Sequence, residues 1–288
     1  MKYPKTYDPY FSIGKDLKVH RLGYGAMRIT GDGIWGPPKN REEAIQVLHH
    51  AVTLGIDFID TADSYGPHVS EELIAEALYP YKKGLVIATK GGLTRTGPNA
   101  WPVNAHPDHL AKALEGSLKR LKVSTIDLYQ LHRVDPKIPF EQTMSFLQKV
   151  QEQGMIKHIG LSEVSIEQIK KAQEFVEVVS VQNMYSVDNR KWEAELKYCQ
   201  QNSIAFIPWY PLGGGNVKAL ERLEKIGKKY NATGHQVALS WLLHHAPNIL
   251  LIPGTSNRKH LEENVEASGL ALTEEDLRQL EEINHQGI

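Results

Sequence analysis

Gly55-Ile-Asp-Phe-Ile-Asp60-Thr-Ala-Asp-Ser-Tyr65-Gly66 is the stretch on which the reading of this chain turns. Ile56, Phe58 and Ile59 make a short apolar run of the kind that parallel sheets bury on both faces. It leads straight into Asp60, Asp63 and Tyr65, two acids and a phenol in a segment otherwise suited to burial. An acid at the C-terminal end of a strand and a phenol one turn later face the same mouth, provided the other strands of the sheet open there too.

The same grammar recurs outward in both directions. Residues 10–19 alternate around Gly14-Lys15-Asp16, which predicts a β-hairpin placed to plug the bottom of a barrel. A short strand follows, running from Leu22 into Gly25-Ala26-Met27, and then a polar loop in which Ile34 and Trp35 suggest a pocket wall. Asn40 is expected to cap the first helix with Glu43 reaching back, Ala44, Val47, Leu48 and Ala51 sharing one face before Gly55 ends it. Beyond the organising strand, a helix over 70–78 precedes the apolar run 84–89, which ends in Lys90. The loop 91–107, carrying Trp101, is long for a strand-to-helix connection and is expected to act as a substrate lid.

After a helix over 108–121, strand 126–131 ends in His132 and, past a helix over 139–153, strand 156–161 ends in Ser162 and Glu163. Ser165 with Gln168 has the form of a capping box. Strand 178–181 ends in Gln182 and Asn183, strand 204–208 in Trp209 and Tyr210, and strand 249–252 in Pro253-Gly254-Thr255-Ser256-Asn257, with helices expected over 189–202, 217–230 and 234–245 between them. Thr273 with Asp276 starts the last helix. Eight strands alternate with helices and no Gly/Pro/Ser-rich linker divides them, which predicts an α/β fold: a single (β/α)₈ TIM barrel over residues 1–288, preceded by the hairpin.

Composition narrows the function. Acids and bases are interspersed and the formal net charge is −1, so nothing steers the chain toward nucleic acid or an anionic membrane. No run approaches the roughly 18 apolar residues that span a bilayer, and the N-terminus lacks an apolar signal region. A single cysteine, Cys199, rules out a disulfide framework and fits a cytoplasmic protein.

In such a barrel all strand C-termini open on one face, so Asp60, Lys90, His132, Ser162, Gln182, Trp209 and Thr255 converge there. Lysine and a protonated phenol are poor metal ligands, which leaves only Asp60 and His132, and no metal site is expected. The set suits proton delivery instead. A phenol with a pKa of about 10 is a slow acid at neutral pH, but an ammonium beside it stabilises the phenolate and a carboxylate keeps the ammonium charged. Tyr65 takes the part of acid, Lys90 tunes it, Asp60 anchors the lysine, and His132 orients a carbonyl oxygen or shares the proton transfer. Each residue alone has an ordinary reading: a cap, a loop aromatic, half of an ion pair, a satisfied structural histidine.

Asp60-Thr61-Ala62-x-x-Tyr65-Gly66, Lys90 closing Ile-Ala-Thr-Lys, His132 closing Leu-Tyr-Gln-Leu-His, Gly160-Leu161-Ser162, Val181-Gln182-Asn183, and Ile252-Pro253-Gly254-Thr255-Ser256 with Glu263-Asn264 together resemble the aldo-keto reductases. The resemblance runs in order from about Arg21 to the end. It implies NADPH-dependent reduction of a small-molecule carbonyl, with Asp60, Tyr65, Lys90 and His132 in the catalytic positions. It also implies that Ser162 and Gln182 bond the nicotinamide carboxamide, that Trp209 stacks on the ring where relatives usually have tyrosine, and that Ala26 and Met27 line the cofactor. Leu212, Gly213, Gly254 and Thr255 are placed for the pyrophosphate, and Glu263 and Asn264 for adenine. Gly254 replaces a lysine that some members use on the 2′-phosphate, so preference for NADP over NAD passes to Ser256, Asn257, Arg258, Lys259 and His260; Glu163 stands where many members have Asn. Trp35 and Trp101 are candidate substrate-pocket residues, the short turn 213–216 predicts an open pocket, and the chain is expected to act as a monomer or weak homo-oligomer. Motifs around Tyr24, Trp35 and Tyr65 look most like a bacterial branch that includes pyridoxal reductases. The rival readings are a nucleotide-binding regulatory subunit of the same fold, like the potassium-channel β subunits, and a phosphate-binding barrel isomerase.

Overall fold

The computed structural model describes residues 7–212 and 220–283. The hairpin forms first, β1 (Tyr10–Ile13) against β2 (Leu17–His20), antiparallel, with Ile13 facing Leu17 across the turn. A parallel sheet follows in strict sequence order: β3 (Tyr24–Gly25), β4 (Phe58–Asp60), β5 (Val86–Gly91), β6 (Ile126–Leu131), β7 (Ile156–Ser162), β8 (Val178–Gln182) and β9 (Ala205–Phe206). The expected eighth strand, Ile249–Ile252, is present as single bridges rather than a full strand. Ile249 pairs with Phe206 and Leu251 with Leu22, both parallel, so the stretch joins the last strand to the first and closes the barrel. Arg21 locks this seam from inside the protein, donating to the carbonyls of Ile249 at 2.8 Å, Leu243 at 2.9 Å and Ala246 at 2.5 Å.

Helices alternate with the strands: α1 (Arg41–Thr53), α2 (Val69–Leu78), α3 (Pro107–Leu121), α4 (Phe140–Glu152), α5 (Ile166–Gln173), α6 (Glu193–Gln201), α7 (Leu220–Gly227), α8 (Gly234–His245), α9 (Arg258–Glu266) and α10 (Glu274–Glu281). Their starts follow local chemistry. Ser165 and Gln168 form the expected capping box, and Thr233 and Gln236 form a second one at α8. Asn40 accepts from the Glu43 backbone at 3.0 Å as expected, but the Glu43 carboxylate does not reach back; it accepts from Arg258 at 3.1 Å and ties α1 to α9. The strands bury both faces. Ile13, Leu17 and Val19 of the hairpin pack inside the barrel against Phe58, Val86, Leu128, Val179 and Ala205, near the strand N-termini, so the hairpin is the bottom plug. Cys199 lies buried on α6, where burial pushes its thiol up to about 12 and leaves it unreactive. Among the described residues no helix is long and apolar enough to cross a membrane.

Candidate active site

Each strand ends where its side chains turn from packing to chemistry. Asp60 closes β4, Lys90 is the penultimate residue of β5, and His132 follows β6. The loop after Asp60 carries Tyr65 and turns at Gly66, whose φ of +107° and a Val69 side chain 2.4 Å from any added Cβ require glycine there. That turn delivers the chain into α2 with the phenol pointing back at the barrel mouth.

The four side chains meet as expected. Lys90 has no solvent exposure and Asp60, Tyr65 and His132 are buried. The Lys90 ammonium donates to Asp60 Oδ2 at 2.6 Å and to the Thr61 carbonyl at 2.8 Å, and sits 5.3 Å from the centre of the Tyr65 ring. Asp60 Oδ1 accepts from Gln182 at 2.9 Å and from Gln130 at 3.0 Å, so the buried carboxylate is saturated. His132 crosses the Tyr65 ring edge-on at 5.9 Å between centroids. Burial would strip the Lys90 proton, but Asp60 and Tyr65 beside it reverse the sign and its pKa is raised; the ammonium is permanent.

Burial raises the Tyr65 pKa; Lys90 pulls it down, but burial outweighs that pull, so the net direction is upward. Burial, then Lys90 and Arg133, hold His132 well below the ordinary imidazole value, which makes it neutral at physiological pH. Asp63, also in the motif, points away into the protein: burial and then Glu71 push it up to about 8, and its Oδ1 has no partner.

The structure places the residues expected at the cofactor as follows. Ser162 donates to the Gln182 carbonyl at 2.8 Å and accepts from Arg133 at 3.0 Å. Trp209 donates from its indole to Glu163 Oε1 at 2.7 Å, the same oxygen that takes the Met184 N–H at 2.6 Å, while the Arg133 guanidinium lies 5.4 Å from the centre of the Trp209 ring. Glu163 therefore holds the indole, and it does so from a left-handed backbone with φ 54°. Ala26 and Met27 form a short 3₁₀ turn after β3, Leu212 packs on the core edge, and Gly213 lies outside the described residues together with the turn 213–216. Gly254, Ser256, Asn257 and His260 are exposed at the mouth, Thr255 is buried with its carbonyl accepting from Tyr24 at 2.6 Å, and Asn264 is buried beside half-buried Glu263.

Gly254 leaves no room for a side chain. A Cβ on Gly254 would stand 2.7 Å from the Gly25 carbonyl, and one on Gly25 would stand 2.5 Å from the Ile252 carbonyl; the two backbones press together at the barrel seam. Arg28 lies against Gly254 and lines a cavity of about 410 Å³ with Ser256, Lys39, Asn40 and Glu43. It has no hydrogen-bond or ion-pair partner among the described residues, whereas Arg258 is engaged by Glu43 and Lys259 lies 3.8 Å from Glu263. Arg28, Gln130 and Arg133 escaped sequence reasoning. The position of Arg133 directly after His132 was the one available signal.

Trp35 is exposed and bridges to Gly66 in the Tyr65 loop. Trp101 meets Tyr65 edge to face at 6.3 Å, and Met27 and Trp101 pack on Ile34, Ala62 and Tyr65. The 91–107 loop, a candidate lid, folds on itself: Leu93 pairs with Val103, Gly97 with Ala100, and Asn104 donates back to Gly92 at 3.0 Å. Among the described residues no group of three or more metal-ligating side chains exists.

With this geometry in hand, likeness to known proteins is informative. The chain matches the model of the aldo/keto reductase family over residues 21–285 and belongs to that family. It is an oxidoreductase by the same relation. An uncharacterised oxidoreductase of Schizosaccharomyces pombe is 52% identical over 93% of this chain and 87% of its own. Pyridoxine 4-dehydrogenase of Escherichia coli is 42% identical over 96% of this chain and 98% of its own. Among solved structures, a thermostable aldo-keto reductase in complex with the inhibitor epalrestat is 32% identical with a TM-score of 0.84, covering 95% of this chain and 99% of its own. An aldo/keto reductase of Klebsiella pneumoniae in complex with NADP and acetate is 25% identical with a TM-score of 0.82, over 96% of this chain and 95% of its own.

Proposed function

We propose that this chain reduces a small carbonyl compound to the alcohol with NADPH, and that Tyr65 is the proton donor. The observation that carries the reading is a fully buried ammonium, Lys90, held by Asp60 at 2.6 Å beside the phenol at the open end of the barrel. A permanent cation kept out of water by a saturated carboxylate stabilises one thing above all, an anion forming next to it. The phenolate left when Tyr65 gives up its proton is that anion.

When bound, NADPH supplies the hydride. Ser162, Gln182 and Trp209 would hold its nicotinamide, Ala26, Met27, Leu212, Gly254 and Thr255 the middle of the molecule, and Glu263 and Asn264 its adenine. The fit rests on the exposed stretch Gly254–Asn257 leading into the N-terminus of α9, where Asn257 caps the His260 N–H, and on the unpartnered Arg28 against Gly254, a cation free to meet the 2′-phosphate that distinguishes NADP from NAD. Within the site the division of labour follows from charge. The raised pKa keeps Tyr65 protonated until a substrate oxygen draws on it, and neutral His132 can hydrogen-bond that oxygen without taking its proton. The pyridoxine dehydrogenase relative supports pyridoxal as one substrate to try, with small reactive aldehydes as the other.

The test is loss of NADPH absorbance with pyridoxal, methylglyoxal and nitrobenzaldehyde, for the wild type and Tyr65→Phe. Turnover that collapses in the variant while NADPH still binds is expected. Cofactor binding with no turnover of any carbonyl by the wild type would replace this reading by a nucleotide-sensing regulatory subunit.

A further inference from the structure

Arg95 is half-buried in the loop between β5 and α3, and every one of its five N–H donors is committed. Nε donates to Ala100 at 2.9 Å; Nη1 to Ile34 at 2.5 Å and to Ser64 at 2.9 Å; Nη2 to Gly33 at 3.0 Å and to Gly97 at 3.1 Å. All five acceptors are backbone carbonyls and none is a carboxylate. They come from three separate segments: the loop that carries Trp35, the loop that carries Trp101, and the residue immediately before Tyr65. The planar face of the guanidinium lies 3.7 Å from the centre of the Trp101 ring and 5.5 Å from that of Trp35.

One of the segments it grips is strained. Ile34 has φ 57°, a left-handed conformation unfavourable for a β-branched residue, and it persists only where the surroundings over-determine it. Two donors reach its carbonyl, Arg95 and the Gly66 N–H at 3.3 Å, while Gly36 donates to Gly66 at 2.5 Å on the other side of the same turn. The Ile34 side chain that results is buried against Ala62 and Tyr65, with Trp101 and Met27 around it.

We infer that Arg95 pre-forms the substrate pocket, fixing the Trp35 and Trp101 loops to each other and to the Tyr65 loop so that the apolar wall beside the phenol exists before substrate arrives. Arg95 is a positioning residue; it acts through Ile34, Trp101 and the Ser64–Tyr65 peptide. Its consequence is a preference: carbonyl compounds whose non-reacting part is flat and apolar, such as an aryl aldehyde, gain from this wall, and short aliphatic aldehydes do not reach it. This part rests on the carbonyl-reductase reading above.

Two measurements on Arg95→Ala and Arg95→Lys decide it. The first needs no turnover: acrylamide quenching of tryptophan fluorescence, with limited proteolysis at 91–107, compares how firmly the two loops are held. Both variants are expected to show more quenchable tryptophan and faster cleavage than wild type. The second is kcat/KM for benzaldehyde against propanal, a ratio expected to fall about tenfold or more, mainly through KM. Lysine keeps the charge but offers a single nitrogen that cannot span five carbonyls on three loops, so Arg95→Lys should resemble Arg95→Ala. Rescue by lysine, unchanged quenching and cleavage, or an unchanged substrate ratio would each overturn the inference. Absence of turnover in the wild type would instead defeat the reductase reading, and the quenching result would still decide whether Arg95 holds the loops.

Discussion

Lys90 shows how much one buried charge demands of its neighbours. An ammonium without solvent exposure is tolerated because Asp60 and the Thr61 carbonyl take its hydrogen bonds, and Asp60 in turn is completed by Gln130 and Gln182. Removing the cation alone, as in Lys90→Met, strands a buried carboxylate. We expect a loss of about 3–5 kcal/mol in urea denaturation and a fall in kcat of about 10²–10⁴, with Tyr65→Phe showing the second effect at far smaller cost to stability. The pH profile gives an independent reading. With His132 held low and Tyr65 pushed up, neither titrates near neutrality, so kcat for reduction should be flat between about pH 6.5 and 9. An inflection in the neutral range that vanishes in His132→Gln would show that the histidine, and not the phenol, delivers the proton. Asp60, Lys90 and His132 were legible in the sequence because each stands at the end of an apolar strand, and Tyr65 because it follows one of those ends within a turn, both local signals. Arg95 and Glu163 were not legible as organisers, because what they hold is backbone carbonyls and an indole whose positions depend on loop conformation, including the left-handed Ile34, and no residue identity announces that.

Elements joined late in the chain depend on a cluster that sequence patterning gives no hint of. His245, at the end of α8, stacks on Trp241 with centroids 4.5 Å apart, accepts or donates to Tyr185 at 2.9 Å, and bridges Glu193 of α6 at 3.2 Å and Glu281 of α10 at 2.9 Å. Glu281 also takes Arg190 and the Trp241 indole, so one carboxylate anchors α10 to the barrel. The histidines at the end of this helix read as ordinary structural residues, and only the meeting of α6, α8 and α10 gives this one its partners. Burial would lower the His245 pKa, but hydrogen bonds to Glu193 and Glu281 raise it overall; burial would raise both carboxyls, but the bonds from His245 take each down to about 2. The signs set a window. The histidine contribution is complete below its ordinary value of about 6.5 and is lost as pH rises through the raised one, while the carboxylate contributions are complete above about 4.3 and are lost as pH falls toward 2. Thermal melts of wild type and His245→Gln should therefore differ most between about pH 4.5 and 6.5 and converge in alkaline buffer. A difference that stays constant across pH would mean that the ring contributes packing and no charge.

At the scale of the whole molecule the barrel separates what holds it from what it does. Chemistry-bearing side chains stand at the strand C-termini, and the hairpin fills the other end, where Ile13 and Val19 have no solvent exposure and pack on Phe58, Val86, Leu128 and Val179. Polar contacts fasten it at the same level: the His20 N–H to Asp57 at 2.8 Å, and Asp16 to His158 at 2.7 Å at the start of β7. Alternation around Gly14 made the hairpin and its place predictable, whereas the short eighth strand was predictable only as an apolar run, since its pairing to Leu22 and Phe206 spans most of the chain. If the two ends are independent, a cavity cut into the plug should cost stability and nothing else. Ile13→Ala removes a fully buried side chain from a packed interior and should lower unfolding free energy by about 2–5 kcal/mol in urea, while kcat and KM at a temperature well below the transition stay at wild-type values. The strands themselves are a route by which the change could travel, for Phe58 of the plug contact lies two residues before Asp60 on β4. A variant that is still folded by circular dichroism but has lost kcat would mean that the Asp60–Lys90 geometry is set from below, by how the plug spreads the strands, and not by the hydrogen bonds at the mouth.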